Sequence, residues 1–107
     1  MKCKIKFTET AKQDLRDIAV YVAEQSGDKE VAKKLVAGLR EKCRILEDYP
    51  ESGAFPRDRV LISSGYRFLV CGESLLFYLH KPEENTSYIM AVFNAKRDYF
   101  RIMKKFL

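Results

Sequence analysis

Hydrophobic and polar positions alternate at the start of the chain. Cys3, Ile5 and Phe7 fall on one face and Lys2, Lys4 and Lys6 on the other. A period of two from Lys2 to Thr8 predicts a half-buried strand. At Thr10 the period changes. Thr10 with Gln13 three residues on reads as a capping box that opens a helix. Leu15, Ile18, Ala19 and Val22 then recur at i, i+3, i+4 and i+7, one apolar stripe. Ser26-Gly27-Asp28 breaks the pattern, and Asp28 is placed to cap a second helix. That helix carries Val31, Leu35, Leu39, Cys43 and Leu46 on one side and stops near Tyr49-Pro50. So short a turn predicts that the two helices pack as an antiparallel hairpin.

From Glu51 to Ser64 the sequence reads as a connection, with Pro50, Gly53 and Pro56 working against regular structure. Three apolar runs follow, roughly Tyr66–Cys71, Ser74–His80 and Ser87–Phe93, and they predict consecutive antiparallel strands. Gly72-Glu73 is a tight hairpin turn, and Pro82 to Asn85 a longer one. From Arg97 onward, Tyr99, Ile102, Met103 and Phe106 have helical spacing and predict a short terminal helix. The order is β-α-α-β-β-β plus that helix. The expected fold class is α+β, a two-layer sandwich with the helical hairpin on one face of a mainly antiparallel sheet. No repeat, linker or low-complexity tract divides residues 1–107, and the length suits one domain.

Composition narrows the function classes. With 47% hydrophobic and 33% charged residues the chain is ordinary for a globular protein. No apolar run approaches the roughly 20 residues that span a bilayer, and MKCKIKF lacks the apolar core of a signal peptide. A cytoplasmic protein without membrane partners is expected. Cys3, Cys43 and Cys71 are odd in number and occur singly, which speaks against a disulfide framework and against a zinc site. The net charge of +5 favours an anionic partner. It is concentrated in the tail, where Lys96, Arg97, Arg101, Lys104 and Lys105 face Asp98 alone. A solvated helix face is the plainer account of that run.

Catalytic constellations are scarce. There is no GxxxxGK[ST], GxGxxG or HExxH, so nucleotide-loop and zincin readings fail, and no metal or other cofactor is expected. His80 is the only histidine, and it precedes the Lys81-Pro82 turn, where an exposed strand-end residue is expected before a base. Glu83 and Glu84 are neighbours in a turn and cannot form an opposed acid/base pair. What remains is basic. Arg57, Arg59, Arg67, Lys96, Arg97 and Arg101 could converge at one end of the sheet and meet a polyanion or an acidic protein surface. Such a cluster can stabilise the extra charge of a phosphoryl transition state, with Glu73, His80 or Tyr99 as a partner. Equally, Arg67 can simply pair with a carboxylate.

The ordered combination of FTETAKQDLRDIAVYVAE, the link YPESG, and GYRFLV, LLFYLHK and AVFNAKRDY resembles the RelE/ParE superfamily of toxins from type II toxin–antitoxin systems. The resemblance covers nearly the whole chain, and A-x-x-DL-x-x-I-x-x-Y, P-x-x-G and YR stand at the places such toxins have them. It implies two alternatives. RelE-like members are ribosome-dependent endoribonucleases that cut mRNA. ParE-like members are non-enzymatic and poison DNA gyrase. Arg67 and Arg97 match arginines of the RelE-like pattern, but its lysines would fall at Asp58 and Val60 and its tyrosine near Met103. Lys105-Phe106-Leu107 replaces the histidine–tyrosine terminus of other ribonucleases, and Asn94 stands where many ParE members have histidine. The long hairpin is similar to the ParE branch.

The resemblance therefore implies a ParE-like gyrase inhibitor neutralised by a cognate antitoxin, with operator DNA contacted only through the antitoxin complex. Arg67 and Arg97, supported by Arg59 and Lys96, are the expected contacts with target or nucleic acid. The alternatives are a RelE-like endoribonuclease, with Arg67 and Arg97 catalytic and ribosome and mRNA as partners, or a non-toxic relative that retains antitoxin binding.

Overall fold

In the computed structural model, which describes residues 2–107, the N-terminal alternation becomes strand β1, Lys4–Phe7. Helix α1, Glu9–Ser26, follows at once. Its cap is Thr8, not Thr10. Thr8 ends the strand in an extended conformation, and its hydroxyl accepts the Ala11 N–H at 3.1 Å. Gly27, in the left-handed region at φ 69°, closes α1. Asp28 then caps α2, Lys29–Cys43, by accepting the Glu30 N–H at 2.9 Å. The second helix does not run unbroken to Tyr49. It tightens at Arg44, whose N–H turns back to Glu41 and Lys42, and resumes for one turn as α3, Ile45–Asp48. Ala32, Leu39, Cys43 and Leu46 are buried, while Val31, expected on the same stripe, is exposed.

The connection also holds a helix that its prolines concealed. In α4, Arg59–Ser63, the Asp58 carboxylate accepts from Val60 and Leu61, and Leu61 is fully buried. Strands β2 (Tyr66–Cys71), β3 (Ser74–Lys81) and β4 (Thr86–Asn94) lie within a residue of expectation. The turn after β2 depends on Gly72, at φ 58°. A 3₁₀ turn at Pro82–Glu84 joins β3 to β4. After β4 comes α5, Tyr99–Met103, capped by Asp98 and extended by a 3₁₀ turn at Lys104–Phe106.

The sheet order is β1-β4-β3-β2, with β1 parallel to β4 and the other pairs antiparallel. Both faces are covered. Leu15, Leu39, Cys43, Leu46, Leu76 and Tyr78 pack together beneath the hairpin. On the reverse face Leu61 and Met103, brought by α4 and α5, cover Leu75, Phe77, Ala91 and Phe93. Strand alternation feeds both clusters, but β4 needs one adjustment. Phe77 pairs with Ala91 and Tyr78 with Ile89, so Met90 is a bulge. Met90 and Ala91 therefore both serve the reverse face, while Ile89 and Val92 serve the hairpin face.

The Tyr78 hydroxyl fastens the Pro50–Phe55 segment to this core. It donates to the Pro50 carbonyl at 2.8 Å and accepts the buried Gly53 N–H at 3.0 Å. A Cβ on residue 53 would stand 2.6 Å from that hydroxyl, so only glycine fits the close approach. Tyr78→Phe strands both backbone groups, and urea denaturation is expected to read a loss of roughly 1–3 kcal/mol. Gly53→Ala is expected to cost a similar amount or more through overpacking.

Candidate functional site

Arg67 sits on the outer strand β2, opposite Tyr78, which in turn faces Ile89 of β4. Its guanidinium donates to the Glu51 carbonyl at 2.9 Å and the Gly53 carbonyl at 3.2 Å. It also lies 4.1 Å from the centre of the exposed Phe55 ring. The charge is thus spent on the connection, alongside Tyr78, and its partners are backbone carbonyls and a ring, not a carboxylate. Arg57 and Arg59 follow Phe55 closely in the chain, and both are exposed. The Arg57 N–H donates to the Tyr99 hydroxyl at 2.7 Å, which ties α5 to the same connection.

Arg97 is elsewhere. It follows Asn94, and Asn94 faces Ser74 at the other end of the sheet from the Arg67 level. The five steps from Ile89 to Asn94 correspond to about 16 Å along β4, with β3 intervening sideways. The expected convergence of all six basic residues at one end of the sheet is therefore not found. Arg97 and Lys96 share a turn instead, held by the Lys96 N–H to the Asn94 side chain at 2.8 Å and the Arg97 N–H to the Asn94 carbonyl at 3.1 Å. Arg101 is exposed on α5 beyond this turn.

Arg97 borders a cleft of about 680 Å³ between α1 and the end of β4, with Asp14, Asp17, Tyr21, Glu73 and Asn94 around it. Here β4 has an open edge, because β1 pairs only with Thr86–Ile89. Asp14 partly closes that edge by accepting the Val92 N–H at 2.9 Å. Burial raises the Asp14 pKa above its ordinary 3.8, against the opposing pull of the Val92 hydrogen bond and of Lys105. The sequence pattern A-x-x-DL contains Asp14, but nothing local identified its partner, which lies 78 positions away.

The candidate bases are scattered. His80 is half-buried, not exposed, and its Nδ1 lies 3.1 Å from the Ser87 hydroxyl and 3.7 Å from Cys3 Sγ. Glu73 borders the Arg97 cleft, and Tyr99 lies tilted among the reverse-face aromatics, its ring centre 5.4 Å from that of Phe77. No group of three or more metal-ligating side chains occurs among the described residues. Cys43 is buried, and burial pushes its thiol up to about 12. No helix of the described residues is long and apolar enough to cross a membrane.

Comparison with known proteins gives this arrangement a context. The family model described as "ParE toxin of type II toxin-antitoxin system, parDE" matches residues 5–99. The chromosomal ParDE system of P. aeruginosa contains a chain that superposes with a TM-score of 0.71 at 22% identity, over 87% of this chain and 96% of that one. A chain of the RelBE2 toxin–antitoxin complex of Mycobacterium tuberculosis gives 0.59 at 21% identity, over 88% and 99%. The isolated E. coli RelE toxin gives 0.51 at 20% identity, over 98% and 99%. At these identities the structural likeness concerns the fold. No curated protein sequence matches the chain.

The raised pKa of Asp14 sets a pH dependence. The folded chain holds the proton more tightly than the unfolded one, so the associated stability is present at low pH and lost as pH rises through the raised value. Asp14→Asn keeps an acceptor for Val92 and removes the ionisation. Relative to the parent, the variant is expected to gain stability between about pH 4 and pH 7. Urea denaturation at both pH values checks this, and a difference that does not change with pH would overturn the assignment.

Proposed function

The chain belongs to the ParE toxin family of type II toxin–antitoxin systems, and on that footing we propose that it acts by binding DNA gyrase and is neutralised by a cognate antitoxin. The observation that carries binding over catalysis is the separation of Arg67 from Arg97. Cleavage of RNA by its own 2′-hydroxyl needs cations on the scissile phosphate and a base beside the hydroxyl, all within a few ångströms. Arg67 already holds two carbonyls, and His80 is engaged with Ser87. Glu73 shares the Arg97 cleft but has no second cation of the Arg67 patch beside it, and the Tyr99 hydroxyl is taken up by the Arg57 N–H. This supports an inhibitor whose basic groups serve recognition.

For the antitoxin, the open edge of β4 beyond Ile89 suits strand addition by an extended tail, and the cleft beside it has room for side chains. Arg97, with Lys96 beside it, is the proposed target contact. Arg67 and Arg59 form a second basic patch, in which Arg67 contributes chiefly by shaping the connection around Phe55. Operator DNA is reached through the antitoxin complex.

The test is supercoiling by purified gyrase in the presence of this protein freed from any partner. Lost supercoiling with trapped cleaved DNA is expected. Undisturbed gyrase together with mRNA cut on the ribosome would establish the endoribonuclease alternative, and tolerance of the free protein by cells would point to a non-toxic relative. Two single variants separate recognition from folding. Arg97→Glu is expected to weaken inhibition about tenfold or more with an unchanged melting temperature, since this arginine is exposed. Arg67→Ala is expected to lose roughly 1–2 kcal/mol of stability along with its two carbonyl bonds.

A further inference from the structure

Where β1 begins, three polar side chains from distant parts of the chain meet inside the fold. Ser87, the second residue of β4, faces His80 of β3 across the antiparallel pair and Ile5 of β1 across the parallel one. Cys3 stands two residues before Ile5 and so on the same side of the sheet. The His80 Nδ1 lies 3.1 Å from the Ser87 hydroxyl, and Cys3 Sγ lies 3.5 Å from that hydroxyl and 3.7 Å from Nδ1. Cys3 and Ser87 are buried, at 4% and 0% exposure, while half-buried His80 keeps the cluster within reach of solvent. Backbone hydrogen bonds hold the cysteine in place. Its N–H donates to the Glu47 carbonyl at 2.8 Å and the Lys4 N–H to the Asn85 carbonyl at 2.9 Å. The Asn85 side chain donates to the Lys2 carbonyl at 3.0 Å.

Hydrogen bonding alone leaves the thiol with more acceptors than it can use. It has one proton, yet Ser87, His80 and the Lys4 carbonyl, at 3.3 Å, all stand around it. A cation fits the same atoms more fully. The point equidistant from Sγ, Nδ1 and Oγ lies about 2.0 Å from each, and zinc bonds to sulfur, nitrogen and oxygen are about 2.0–2.3 Å. Thiolate and imidazole together select zinc-like ions over magnesium or calcium. The adjacent lysines point away, because Lys4 and Lys81 are exposed and alternate to the other face of the sheet. We propose that Cys3, His80 and Ser87 form a site for one divalent cation of the zinc class, with water as the fourth ligand. On binding, the thiol releases its proton to solvent and the imidazole keeps its own on Nε2. The ion fastens the start of the chain to β3 and β4, at the end of the sheet opposite Arg97. This role is independent of gyrase as the target.

The probe is Co²⁺ followed by Zn²⁺, added to the reduced full-length protein. One equivalent of Co²⁺ is expected to give the sulfur-to-cobalt charge-transfer band of a tetrahedral thiolate site, and Zn²⁺ to displace it. Cys3→Ser, which keeps a side chain of similar size, is expected to remove the band. His80→Ala is expected to weaken binding at least about tenfold. Cys71→Ser, at a half-buried cysteine away from the cluster, should leave the band unchanged. The unsubstituted chain supplies a test that no variant's folding can confuse. One equivalent of Zn²⁺ should shift the His80 ring and Ser87 amide signals in NMR spectra and raise the melting temperature. Absence of the band, a band that survives Cys3→Ser or is lost in Cys71→Ser, or zinc-induced shifts centred away from Cys3, His80 and Ser87 would overturn the proposal. So would an unchanged affinity in His80→Ala.

Discussion

Thr8 ties together three parts of the molecule that the sequence separates widely. Its N–H and hydroxyl both donate to the Ile89 carbonyl, at 3.1 and 3.0 Å, and the Thr8 hydroxyl oxygen accepts the Ala11 N–H at the start of α1. The contact falls where β4 bulges. A bulge leaves backbone groups without ladder partners, and buried groups of that kind are costly unless something else meets them. Because Thr8 does so, β1 can stop, α1 can begin and β4 can shift its facing pattern within the space of one residue.

That shift decides how a chain of 107 residues covers both faces of a four-stranded sheet. Without it, Ala91 and Phe93 would point to the hairpin, and Leu61 and Met103 would have no floor to cover on the reverse face. The hairpin covers one side with long helices, whereas the other is closed by two helices of five residues each, α4 and α5. Such short helices have little stability of their own. They persist because Asp58 and Asp98 cap them and because Leu61 and Met103 are fully buried.

The same economy explains the placement of charge. Arg67 and Tyr78 spend their polar groups on holding the connection against the core, which leaves Phe55 presented at the surface beside Arg57 and Arg59. Arg97 has no such duty and stands at a cleft with an unfinished sheet edge. Of a pair that looks equivalent in the sequence, one arginine is therefore engaged in holding the fold and the other is left exposed at a cleft.

Local pattern by itself determined the order of the main elements, the three C-terminal strands and the hairpin, while the family came from the resemblance of its ordered motifs. Period two and period 3.6 are properties of neighbours along the chain, and Asp28, Gly27 and Gly72 act within a few residues of themselves. Where a competing local signal existed, the sequence misled. Thr10 with Gln13 outranked Thr8, and Pro50, Gly53 and Pro56 hid the Asp58 cap of α4. The site was legible only as a list of basic residues. Whether Arg67 meets Arg97, what Asp14 holds and where Tyr78 sends its hydroxyl depend on strand order, register and one bulge. Those are set by long-range pairing and burial, which no local window contains.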